Sequence, residues 1–138
     1  LAERIERAKA VAADPRIDVT GFEAALPNAY TADTLAFLRR RLPEVRFVWV
    51  MGGDNLAQIH RWHRWREIFH LMPVAVMDRP GARQKALASP AAHLFARARL
   101  AEPDAHALPM MEPPAWAYLT IPLSAASSTK LRRAAKAG

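Results

Sequence analysis

The chain has 138 residues, enough for one compact core that buries roughly two-thirds of the surface its unfolded form would expose. Zero cysteines exclude disulfides, thiolate metal sites and cysteine nucleophiles and fit a reducing cytoplasm, while no apolar run approaches the ~20 residues of a bilayer-spanning helix, so a soluble protein is expected. A net charge of +7 calls for an anionic partner: nucleic acid, a membrane surface or a phosphorylated small molecule.

Residues 1–13 have helical spacing, with Ile5, Ala8 and Val11 or Ala12 on one side. Asp14-Pro15 stops that helix, because proline disfavours helix at the residue before it. The opening stretch has neither the apolar centre of a signal peptide nor an initiator methionine, and the chain is expected to be part of something longer. Ile17-Asp18-Val19-Thr20 alternates as a half-buried strand would. Glu23 to Tyr30, with Pro27 and Asn28, reads as a loop ending at Thr31, whose hydroxyl is expected to cap a helix running to about Leu42. Leu35, Leu38 and Leu42 give that helix an apolar face, with Arg39, Arg40 and Arg41 mostly turned elsewhere.

Pro43 ends the helix, and Val45 to Met51 is a nearly continuous apolar run, the pattern of a strand covered on both faces. Gly52-Gly53-Asp54-Asn55 follows, then a helical stretch with Leu56 and Ile59 inward. Strand, glycine turn and helix make a nucleotide-site arrangement when they lie at a strand's carboxyl end. A short helix from Arg64 to Leu71 leads to a buried strand, Pro73 to Met77, closed by the turn Asp78-Arg79-Pro80-Gly81. One more helix is predicted over 88–101, with Leu94, Phe95 and Ala98 on one side, while 102–114 carries no assignment. Trp116 to Ile121 reads as the last strand, and Ser127-Ser128-Thr129 caps a terminal helix through Arg132 to Ala137. Strands alternating with helices predict an α/β domain over 1–138, a mostly parallel sheet wrapped by helices.

Ser127-Ser128-Thr129-Lys130-Leu131-Arg132 holds the most chemistry. Free helix amides, three hydroxyls and two cations suit a polyphosphate, and cations in a first turn are unfavourable unless an anion sits there. An ordinary capped helix with a solvated basic face reads the same way, so both alternatives stand. At Gly52-Gly53-Asp54, glycine lets backbone approach a ligand and the carboxylate suits ribose hydroxyls, although a plain N-cap is the commoner role for such an aspartate. Ile59 to Arg66 interleaves Trp62 and Trp65 with cations, which suits stacking on a planar ring beside a phosphate, or core anchoring with solvent-facing arginines. His60 and His63 have no third ligand at a recognisable spacing, and no protein-held metal is expected. Gly-x-Ser-x-Gly, Walker and Gly-x-Gly-x-x-Gly motifs do not occur.

Taken in order, Tyr30-Thr31-Ala32-Asp33-Thr34-Leu35, Phe47 to Leu56 through Gly52-Gly53-Asp54, Trp62-His63-Arg64-Trp65, Asp78-Arg79-Pro80-Gly81 and Ser127 to Arg132 resemble successive motifs of the bacterial nicotinate-nucleotide adenylyltransferases, closest to the alphaproteobacterial versions. The resemblance implies a Rossmann-like nucleotidyltransferase fold and transfer of AMP from ATP to nicotinate mononucleotide in NAD biosynthesis, with Mg2+ accompanying ATP. By position it implies Thr31 and Thr34 near the pyridine pocket, Trp62 stacked on the nicotinate ring, and Gly52 and Asp54 on the adenosine side. Ser128, Thr129 and Arg132 would hold the ATP phosphates, Arg132 acting catalytically. The family's opening strand and His-x-Gly-His turn have no match between Leu1 and Gly138, so the first β-α unit is expected to be absent, leaving activity of the chain alone in question. A sheet edge exposed in that way favours self-association. A related nucleotidyltransferase with another phosphorylated substrate is the near alternative. A non-enzymatic nucleic-acid-binding module would also explain the charge, but it does not account for the buried strand leading into Gly52-Gly53-Asp54.

Overall fold

The computed structural model describes residues 1–122 together with Arg133 and Lys136; the expected cap at Ser127-Ser128-Thr129 lies outside them. Helix α1 (Ala2–Val11) lies on the surface with no buried residue. After it, the Asp14 carboxylate accepts the Arg16 amide at 2.9 Å and pairs with its guanidinium. The expected strand at Ile17–Thr20 does not form. Ile17 is 55% exposed, and two apolar side chains bury too little surface to bring this segment into the sheet.

Asn28 Oδ1 accepts the Tyr30 amide at 3.1 Å, an Asx turn that delivers the chain into helix α2 (Thr31–Arg41). The N-cap is Tyr30, in extended conformation and without a side-chain cap bond, so the Thr31 hydroxyl is not the cap; Thr31 is the first helical residue. The buried face of α2 is Ala32, Thr34 and Leu35. Leu42 is 44% exposed because α2 packs on α4 (Trp65–Leu71) through its earlier turns, and the helix ends ahead of Pro43.

Strand β1 is Trp49–Gly52, shorter than the predicted 45–51 run. Its ladder to β2 (Val74–Met77) begins at Trp49↔Val74, and β1 is the edge of the described sheet. One of its faces is also open: Val50 is 55% exposed while Met51 is buried, which corrects the expectation of cover on both sides. Helix α3 (Gly53–Leu56) and a 3-10 turn at Ile59–Arg61 put Leu56 and Ile59 in the core as predicted.

The sheet is parallel throughout, in the order β1-β2-β4-β3, with β3 at Arg99–Leu100 and β4 at Trp116–Leu119. Alternation divides β2 and β4 between two clusters. Val74, Val76, Trp116 and Tyr118 face the main core with Leu56, Ile59, Ile68 and Phe69. Ala75 and Ala117 face the other side, where Leu108 packs from a 3-10 segment at Glu102–Met110. This is a Rossmann-like α/β arrangement.

The predicted 88–101 helix is broken into α6 (Pro90–Leu94), capped by the Ser89 hydroxyl, then a 3-10 turn at Ala96–Ala98 and β3. Phe95 stacks on Phe69 at 4.5 Å, and its carbonyl accepts the Trp116 indole N–H at 2.8 Å. That pull takes the backbone out of helical register and leaves Leu94 54% exposed, not inward. A further helix, α5 (Arg83–Leu87), carries no apolar signal long enough to predict. β4 stops at Leu119 because the Thr120 amide turns to Glu102, 2.7 Å away. Among the described residues no helix is long and apolar enough to cross a membrane.

Candidate nucleotide site

Parallel strands put all carboxyl ends on one rim, which here gathers Gly52, Asp78 and Thr120. The chain leaves β1 through Gly52, the N-cap of α3, and Gly53. A side chain on Gly53 would collide with the Tyr118 hydroxyl and lie 3.3 Å from Tyr118 Cζ and 3.5 Å from Ala82 Cβ. At Gly52 a Cβ would meet Asp54 Oδ1 and sit 3.2 Å from Arg79 Cγ. Both glycines therefore permit close packing of the turn against the ends of β2 and β4. Asp54 is the second residue of α3, not its N-cap, and its exposed carboxylate lies back toward Gly52.

Beneath the rim, the Tyr118 hydroxyl donates to Asp78 Oδ1 at 2.6 Å, and the Arg79 amide donates to the same oxygen at 3.0 Å. Arg83 lies over the Tyr118 ring, 5.0 Å from its centroid. Burial, and then the bond to Asp78, push the phenol well above its ordinary value. A raised phenol favours the fold while protonated: the contribution is complete below the unfolded value of about 10 and is lost as pH rises through the folded value. Tyr118→Phe is expected to cost about 1–3 kcal/mol near neutrality, because the buried Asp78 loses a donor. The gap in melting temperature between wild type and variant should narrow above about pH 10; a constant gap up to pH ~11 would refute this.

The chain that leaves the rim through α3 runs on into the wall of a cavity of about 330 Å³, lined by Ala29, Tyr30, Thr31, Arg61, Trp62 and His63. Trp62 is half-buried and meets Trp49 edge-on, with centroids 6.0 Å apart, so it is both a core contact and a pocket wall. The rings of Tyr30 and His63, both in the lining, meet at 4.3 Å. Two carboxylates nearby, Asp33 and Glu67, are both taken by Arg64. Arg61 makes no ion pair among the described residues.

Thr31 and Trp62, far apart in the chain, thus share one cavity, whereas Thr34 does not line it. Thr34 sits on the buried face of α2, and its Oγ1 finds no hydrogen-bond partner among the described residues. Gly52 and Asp54 stand together at the rim; Ser128, Thr129 and Arg132 lie outside the described residues. His60 and His63 join no group of three or more His, Cys, Asp or Glu among the described residues. Sequence reasoning missed Tyr30 and Arg61 as pocket walls and the Asp78–Tyr118 pair under the turn; the only signal for them was adjacency to residues already singled out.

A parallel sheet with a glycine turn at its carboxyl rim, continuing into an aromatic- and hydroxyl-lined cavity, defines a nucleotide-binding α/β protein. The cytidylyltransferase-like family matches residues 1–134. The chain is 54% identical to a probable nicotinate-nucleotide adenylyltransferase of Methylorubrum extorquens, over 96% of this chain and 71% of that protein. Proteins of the same name from a Bradyrhizobium species and from Brucella abortus are 52% and 51% identical, each over 96% of this chain and 69% of the relative. The chain belongs to the cytidylyltransferase-like family and, within it, to the nicotinate-nucleotide adenylyltransferases.

Proposed function

We propose that the chain transfers AMP from ATP to nicotinate mononucleotide, giving deamido-NAD and pyrophosphate. The observation that carries this is the cavity joining Thr31 to Trp62: its size and its flat aromatic wall suit a pyridine ring. In the proposed arrangement Trp62 stacks on that ring and the hydroxyl of Thr31 lies at its edge, with Thr34 behind. Gly52 and Asp54 receive adenosine at the rim, and Ser128, Thr129 and Arg132 hold the triphosphate. A phosphate oxygen of the mononucleotide attacks the α-phosphorus, a P–O bond forms, and the bond to the β-phosphate breaks with its electron pair leaving on pyrophosphate. Catalysis is then positioning together with neutralisation of developing charge, to which Arg132 contributes.

Mg2+ belongs to the same proposal, bound to ATP as a substrate complex. Magnesium keeps several waters and binds substrate phosphates, so it would arrive with the triphosphate and not on a site held by the chain. Its chemistry there would be charge neutralisation on the leaving pyrophosphate. A biosynthetic role of this kind, with no cysteine in the chain, supports a cytoplasmic location.

Arg61 and His63 in the pocket wall, with no carboxylate among the lining residues, support the acid over the amide mononucleotide. Arg61→Ala is expected to lower the acid-over-amide ratio of kcat/KM by about 2- to 5-fold, the scale of one exposed charge contact. An unchanged ratio would remove Arg61 from specificity. The reading as a whole is tested by calorimetric titration with nicotinate mononucleotide and with Mg-ATP, alongside pyrophosphate release. Binding of neither, with salt-sensitive uptake of a single-stranded oligonucleotide instead, would replace the enzyme by a nucleic-acid-binding module. Preference for a different phosphorylated acceptor would leave a related nucleotidyltransferase.

A further inference from the structure

The residue after Trp62-His63 is Arg64, and it is the one non-glycine residue with positive φ among the described residues, at φ 51° and ψ 38°. Arginine rarely adopts this left-handed conformation, which persists where surrounding contacts impose it. Those contacts are visible. Arg64 Nη1 donates to Asp33 Oδ1 at 2.7 Å, and Nε donates to Glu67 Oε1 at 3.0 Å, while Nη2 reaches the second Glu67 oxygen. One guanidinium therefore spans three carboxylate oxygens on two helices. Glu67 is in the first turn of α4, which Arg64 itself precedes as N-cap, so that bond is local. Asp33 is different: it is 31 residues away, in the first turn of α2, two positions after Thr31.

The cavity is built from two chain segments only, 29–31 at the start of α2 and 61–63 just before Arg64. Arg64 does not line it; with Asp33 it lines a separate space that shares no residue with the cavity. Beside the core packing of α2 on α4, the Asp33–Arg64 bond and the Tyr30–His63 ring contact are thus two side-chain ties between the segments that build the cavity. We propose that Arg64 is a positioning residue: held left-handed between Glu67 and Asp33, it fixes the 61–63 wall against α2 and sets the width of the pyridine pocket. This rests on the pocket reading given above. Without the tie, Trp62 keeps its contact with Trp49 but the wall is free to move relative to Thr31.

A surface cap with ordinary ion pairs would alter stability and leave substrate binding alone. The two are separated in the full chain by titrating tryptophan fluorescence with nicotinate mononucleotide and by steady-state kinetics, each well below the melting temperature of the variant. Arg64→Ala, Arg64→Gly and Asp33→Asn are expected to weaken mononucleotide binding on the order of ten-fold, the equivalent of about 1.4 kcal/mol. KM for ATP should stay within about two-fold, because the adenosine side does not depend on this tie. Arg64→Gly relieves the left-handed backbone without restoring the tie, so weak binding in a variant of undiminished melting temperature supports positioning. Combining Arg64→Ala with Asp33→Asn should add little to either alone, and Arg64→Asp with Asp33→Arg should recover part of the loss. Unchanged mononucleotide affinity in Arg64→Gly and Asp33→Asn, with Trp62→Ala measured in parallel and strongly impaired, overturns the inference while the pocket stands. Unchanged affinity in Trp62→Ala overturns both.

Discussion

Replacing Trp62 by alanine is expected to raise KM for nicotinate mononucleotide roughly 5- to 140-fold, the equivalent of the 1–3 kcal/mol that stacking of a flat ring on an aromatic side chain provides. With ATP saturating, kcat should fall much less, since stacking binds ground state and transition state alike. Trp62→Phe should recover most of the affinity, because a flat face remains. The side chain also meets Trp49 and packs against the core, so the alanine variant should melt at lower temperature as well. The discriminating quantity is therefore KM at a temperature where both proteins are folded. A lower melting point with unchanged KM would make Trp62 a core anchor and nothing more.

Gly53→Ala should produce the largest change in stability of any single methyl group added at the rim, about 1–3 kcal/mol as an overpacked buried position. The new Cβ would be driven into the Tyr118 hydroxyl, and Tyr118 cannot yield: it is 1% exposed and tied to Asp78 at 2.6 Å. Either the turn from β1 into α3 shifts or the Tyr118–Asp78 bond breaks. Urea denaturation of Gly53→Ala, Tyr118→Phe and the double variant tests the mechanism. Removing the hydroxyl removes the collision, so the double variant should be less destabilised than the sum of the singles. Simple additivity would show that the glycine is needed for another reason. Because Gly52 and Asp54 move with the same turn, Gly53→Ala should also weaken ATP binding.

The rim was legible in the sequence because its signals are local. A β-branched run, two glycines and Leu56 and Ile59 at helical spacing report backbone freedom and periodicity within about ten residues, and the structure has the glycine turn and the inward pair where that pattern puts them, although β1 begins only at Trp49 and Ile59 lies in a 3-10 turn beyond α3. The same local reasoning failed at Ile17–Thr20 and over 88–101. An alternating tetrapeptide does not say whether a neighbouring strand is available to it. A helical period through Phe95 does not show that the Phe95 carbonyl will be claimed by the indole of Trp116, 21 residues later. The 3-10 segment at Glu102–Met110 escaped assignment because it has no period; its place comes from Leu108 fitting over Ala75 and Ala117.

By itself the sequence determined the alternating α/β order, the glycine turn after β1 and, through motifs recurring in order, the family. Each depends on which conformations a residue and its near neighbours allow, information that is present along the chain. Only the tertiary structure decided that Tyr30, Arg61 and His63 would line one cavity with Thr31 and Trp62, that Thr34 would be buried outside that lining, and that Arg64 would bind Asp33. Those contacts arise when α2 packs on α4 over a common core, and burial against the sheet rewards total apolar area removed from water without specifying in any local stretch which polar side chains will meet.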